Sequence, residues 1–229
     1  MVAAISTVPI LLPAAAGLSG DFRSARLASW LITLVLMLGF AFVVGHGVTG
    51  VWRGVLIDER NKISTSRLQL ALWTAIILSA YLEGVLANVG LRQHNAIHIS
   101  VPQTLWAALG ISTISLAASP VIVRYRTTGT NKLMGNPSPR DASWRDTVTG
   151  EEKDLEDMVD IGKLQMVLVT IVLVVAYGIV LGYMFYTRGP RIGFLPKVND
   201  AFAILLAISH GGYLAKKGMA KLPVTTKSG

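Results

Sequence analysis

Cysteine is absent from the whole chain. That excludes disulfides, thiolate metal sites and a thiol nucleophile. Charge is scarce too, at 15% of 229 residues, against about 25% in an average soluble domain. Four histidines, at 46, 94, 98 and 210, are the whole supply of imidazole. His94 and His98 have the spacing of two ligands on a helix, but no nearby carboxylate completes a set of three or four, so no metal is expected. There is no Walker loop, GxSxG, HExxH or carboxylate cluster, no cofactor signature, no TVGYG-like filter and no arginine-rich sensor helix. The expectation is a protein that is not an enzyme and holds no cofactor.

What is present is apolar. Hydrophobic residues make up 52% of the chain, and its charges are clumped between long uncharged runs. About 20 apolar residues of helix cross a ~30 Å hydrocarbon core. Five spans are expected, at about Ala28–Thr49, Leu68–Val89, Val101–Val123, Leu164–Thr187 and Asn199–Ala215. The fold class is therefore an all-α integral membrane protein with five transmembrane helices. Its organisation is an extracytoplasmic N-terminal segment (1–27), spans 1–3 (28–123), a cytoplasmic loop (124–163), spans 4–5 (164–215) and a basic tail (216–229). No Lys or Arg precedes the apolar stretch of residues 1–20, which argues against a cleaved signal peptide.

The net charge of +8 is read as a topological signal, not as a nucleic-acid footprint. With alternating crossings, the side holding the N-terminus carries six Lys and Arg, and the side holding the C-terminus carries fifteen. Basic loops stay in the cytoplasm, so the N-terminus is expected outside and the C-terminus inside.

The stretch SRLQLALWTAIILSAY (66–81) is echoed by GKLQMVLVTIVLVVAY (162–177). Gln69 matches Gln165, Thr74 matches Thr170 and Tyr81 matches Tyr177. Val101-Pro102 and Leu195-Pro196 follow the two copies, and each later reaches an Ile-Ser pair, Ile111-Ser112 and Ile208-Ser209. Spans 2–3 and 4–5 thus read as a duplicated helical hairpin. Both copies start on the same side, which makes them parallel repeats. Ser66 with Gln69 matches a capping box, and Gly162 takes the cap position in the second copy. The tyrosines fall near the outer interface, where tyrosine is enriched. Small residues at Gly178 and Gly182, at Ala108 and Ser112, and at Ala203, Ala207 and Gly211 mark helix contacts.

The candidate polar groups inside the spans are Thr74, Thr170, Ser112, Ser209, His210 and Glu83. An intramembrane carboxylate is a functional candidate by default; for Glu83, pairing with Arg92 is the structural alternative. His46 and His210 could face each other. In the loop, EEKDLEDMVD (151–160) reads as a short acidic amphipathic helix, with Glu151, Glu152, Leu155 and Met158 as candidate partner-binding residues. Anionic lipid would repel it, which favours a protein contact.

The segments LIDERNKISTSRLQLALWT, DIGKLQM and AISHGGYLAKK resemble a family of bacterial multi-pass membrane proteins. In that family a Leu-Ile-Asp-x-Arg-Asn stretch precedes a Ser-Arg-x-Gln helix start, with Gly-Lys-x-Gln and Gly-Ile-Ser-His-x-Gly-Tyr further on. Here Ala207 replaces the glycine before Ile-Ser-His, and Val169 stands where the first copy has Trp73. The resemblance covers roughly residues 50–219. It implies the multi-pass architecture and a bacterial inner-membrane location, and it carries no catalytic residue over. The expected function is a non-enzymatic subunit that anchors or scaffolds a larger assembly as a homo- or hetero-oligomer, with lipid and cytoplasmic proteins as partners. The alternative is a channel or transporter with a path along the repeat axis.

Overall fold

The computed structural model of the chain describes residues 22–126, 135–150, 158–187 and 191–218. Residues 1–21 of the expected N-terminal segment, the basic tail beyond residue 218, and Glu151, Glu152 and Leu155 lie outside the described residues, while residues 22–27 of that segment are helical. Five α-helices occur among the described residues: α1 (Phe22–Thr49), α2 (Thr65–Gly90), α3 (Gln103–Arg126), α4 (Ile161–Thr187) and α5 (Asp200–Gly218). No strand is described, only isolated bridges.

Three helices, α1, α2 and α4, are long and apolar enough to cross a bilayer. Their surfaces suit lipid, since only 17% of the apolar window of α1 and 28% of that of α4 is buried. The other two helices, α3 of 24 residues and α5 of 19, are not among these three.

Helix starts differ from expectation in a consistent way. Ser64, not Ser66, caps α2, its side chain accepting from the Arg67 amide. Asp160, not Gly162, caps α4, its Oδ1 accepting from the amides of Gly162 at 2.9 Å and Lys163 at 3.2 Å. Both caps stand five residues before the matched glutamines. The connectors leading into them also share one pattern. Ser64 N–H bonds the Leu56 carbonyl and Asp58 N–H the Lys62 carbonyl, around an Ile57–Ile63 bridge. Asp160 N–H bonds the Val148 carbonyl and Gly150 N–H the Met158 carbonyl, around a Thr149–Val159 bridge. The end of the bundle where α2 and α4 begin is called proximal here, and the other end distal.

Helix α1 packs against α2 and α4, α2 against α3 and α4, and α5 against α3 and α4. The core centres on Trp73, Tyr177, Phe185, Leu105 and Leu206, all essentially inaccessible. Trp73 meets Phe202 edge-on with ring centroids 5.3 Å apart. Gly178 and Gly182 do face α2 and α1, but at side-chain distances: a Cβ on Gly182 would lie 3.5 Å from Leu27 Cδ1. The close backbone approach lies elsewhere. A Cβ on Gly45 would fall 2.6 Å from the Val55 amide nitrogen, so glycine lets the end of α1 fold back against the following turn. Of the small residues on α5, Ala207 and Gly211 are exposed.

Before α3 and α5 the chain is extended, and these two segments pair with each other. Ser100 N–H bonds the Gly193 carbonyl at 2.9 Å, and Leu195 N–H bonds the Ser100 carbonyl at 3.0 Å. The bridged residues, Ser100 and Phe194, each stand one position before an apolar-Pro pair. Ile192 and Leu195 are fully buried. Gly84 makes room for this layer, since a Cβ there would meet Ile99 Cδ1 at 2.8 Å.

Candidate functional site

The polar side chains buried in the bundle form two levels. Near the proximal end Gln69 is fully buried, and its Nε2 donates to the hydroxyl of Thr170. Thr170 in turn donates to the Met166 carbonyl at 2.8 Å. The capping-box role expected of Gln69 is therefore replaced by a bond between α2 and α4. Its repeat partner Gln165 is exposed. The contact between α2 and α4 buries one glutamine and leaves the other exposed, which breaks the symmetry of the two copies.

Thr74, expected beside Thr170, is partly exposed and lines a groove between α1 and α2. Ser112 is buried and donates back to the Ala108 carbonyl of its own helix at 3.0 Å. Ser209 and His210 are buried on α5, and neither the Ser209 hydroxyl nor either ring nitrogen of His210 has a partner among the described residues. The indole nitrogen of Trp73 is likewise unpaired. His46 is exposed and stacks on Trp52 with centroids 4.5 Å apart, so it does not face the buried His210.

At the distal level Glu83 is fully buried and turns to α1. Ser29 donates to its Oε2 at 2.8 Å, and Arg26 is close enough for its charge to act on the carboxylate. Arg92, the partner expected from sequence, is exposed in the following loop. Arg26 Nε also donates to the Phe185 carbonyl on α4 at 2.7 Å. One buried guanidinium thus ties α1 to α4 beside a carboxylate of α2, which compensates charges that the interior could not otherwise hold. Trp30 completes the attachment, donating to Ser79 at 3.2 Å.

The tyrosines have a more specific task than facing headgroups. Tyr81 donates to the Ile97 carbonyl at 3.1 Å and Tyr177 to the Pro196 carbonyl at 3.4 Å. Asn88 clamps the second extended segment from both sides, accepting from Ile192 N–H at 2.9 Å and donating to the Ile192 carbonyl at 2.8 Å. Non-helical backbone away from water must be satisfied in this way. Asn88, Arg26 and Ser29 were not singled out from the sequence. A lone Asn in an apolar helix, five residues after a lone Glu, was the available signal.

Across the proximal end, residues 135–150 are strapped onto the α1–α2 connector. Asn61 and Asn136 exchange side-chain amide to carbonyl bonds at 2.9 Å each. Ile63 N–H bonds Asp146, and Lys163 Nζ donates to the Asp146 carbonyl at 3.0 Å. Ser138 with Asp141, and Ser143 with Asp146, form capping boxes on two short turns. On the same strap and the adjoining start of α4, Trp144, Met158, Val159 and Ile161 are each more than half exposed. Met158, expected to contact a partner, is thus presented at the surface.

Among the described residues no three His, Asp or Glu side chains converge as metal ligands. His94 and His98 are both exposed in the distal loop. No family model, curated protein or solved structure matches the chain.

Proposed function

We propose that the protein is a non-enzymatic membrane subunit that docks a protein partner at its proximal surface. The reading includes five crossings, a duplicated hairpin and a cytoplasmic proximal end in a bacterial inner membrane. The matched caps, connectors and extended segments support the duplication. Exposed apolar residues on the shorter helices, such as Trp106, Ile114, Ile204 and Ile208, support crossings by α3 and α5, each completed by the extended segment before it.

The observation that carries the docking reading is the exposure of four apolar side chains, Trp144, Met158, Val159 and Ile161. Three of the four stand on or beside a hydrogen-bonded strap, outside any helix able to span. Apolar patches held rigidly at a surface mark contact sites, and aromatic residues and Met are enriched in interface cores. Thr170, Ser112 and Glu83 have packing bonds that account for their burial.

Gentle extraction from the native membrane, followed by native mass measurement, tests the reading. A defined heteromeric complex is expected, and it should be lost in a Trp144→Ser, Met158→Asp double variant that extracts with unchanged yield. A lone homo-oligomer would move the reading to transport, for which the unpaired Ser209 and His210 side chains are the supporting observation.

A further inference from the structure

Between α1 and α2 runs an apolar groove with a volume of about 850 Å³, within the roughly 300–1,000 Å³ of small-molecule sites. Leu36 and Phe40 form one wall, and Leu70, Thr74 and Leu78 the other. No acidic side chain lines it, and one cation does: Arg67, at the proximal mouth. The Arg67 guanidinium has no hydrogen-bond or ion-pair partner among the described residues.

Its counterpart in the second copy, Lys163, is buried and bound to the Asp146 carbonyl. The two copies therefore use the same position differently. One cation closes the structure, and the other stands open at the end of an apolar channel. A half-buried guanidinium without a protein partner at the mouth of an apolar groove is placed to take an anion, and arginine matches phosphate with two parallel donors. Arg67 also lies in the first turn of α2, where the helix dipole favours negative charge. From Arg67 to Leu78 the helix rises about 16 Å, the depth of one leaflet of a ~30 Å core. An apolar partner helix would fill the groove but leave the guanidinium unpaired.

We propose that the proximal half of this groove binds an acyl chain of an anionic phospholipid, with the headgroup phosphate held by Arg67. The site is independent of the docking patch, which lies on the strap and the start of α4.

The full chain, reconstituted in nanodiscs with equal phosphatidylglycerol and phosphatidylcholine of identical chains, is extracted, and its retained lipid is counted by native mass spectrometry. The expected result is enrichment of phosphatidylglycerol by about fivefold, the worth of one basic residue at a membrane surface. Arg67→Gln should erase the preference and Arg67→Lys should keep most of it. Leu78→Trp, at a position already 44% exposed, should cut retention of both lipids. Should Leu78→Trp fail to fold, the two Arg67 variants carry the test. Equal retention by the unaltered chain, a preference that survives Arg67→Gln, or a dimer formed with no lipid retained would overturn the proposal.

Discussion

At the scale of single residues, the two glutamines of the repeat show how one sequence position acquires two roles. Gln69 is buried against Thr170, while Gln165 is exposed. Gln69→Ala removes an interhelical bond and leaves a cavity, a loss of about 1–3 kcal/mol. Gln165→Ala changes an exposed side chain and should stay within about 0.5 kcal/mol. Thermal unfolding of the two variants in one detergent checks the difference, and equal losses would mean that the α2–α4 contact is not as described. The sequence pattern identified both glutamines but could not rank them. Ranking depends on which face each helix turns to its neighbour, and the hydrophobic pattern of a membrane helix does not encode that, because lipid and core are equally apolar.

At the scale of elements, the helices were legible and the segments between them were not. Long apolar runs delimit α1, α2 and α4 because lipid demands a helix of that length. The extended segments before α3 and α5 have no such signature. Val101-Pro102 and Leu195-Pro196 announce a break, but nothing local announces that Ser100 pairs with residues 193–195. That pairing depends on Asn88, Tyr81 and Tyr177 arriving from other helices. Asn88→Ala would leave the Ile192 amide and carbonyl unpaired in a buried layer, a cost of about 2–4 kcal/mol. The local readout is hydrogen exchange. Amides at Ile192 and Leu195 should exchange faster in the variant while those in the middle of α4 keep their protection. Unchanged exchange at Ile192 would mean that Asn88 does not hold this segment. The caps follow the same logic. Ser66 and Gly162 were the expected caps, yet Ser64 and Asp160 serve, because the bridges before each helix fix where the chain turns, two residues upstream of the local motif.

At the scale of the whole molecule, the contacts constrain which ends lie together. Ser29 and Arg26 at the start of α1 meet Glu83 near the end of α2 and Phe185 near the end of α4. These three ends are therefore distal. The Asn61–Asn136 exchange holds Asn136 at the proximal end, against the α1–α2 connector. Arg53, Arg60, Lys62, Arg67, Arg140, Arg145 and Lys163 gather at the proximal end, against Arg23, Arg26, Arg92, Arg191 and Lys197 at the distal one. Because positive charge is retained in the cytoplasm, a fluorescent reporter fused after residue 229 should be bright. A phosphatase that works only outside the cytoplasm should be active when inserted at Asn95, in the exposed distal loop. If the same phosphatase fused after residue 229 were active and the Asn95 insertion silent, the whole bundle would be inverted. The Trp144 patch would then face away from cytoplasmic partners, and Arg67 would face the outer leaflet. Activity at both sites would instead mean that α5, the shortest of the five helices, does not complete its crossing.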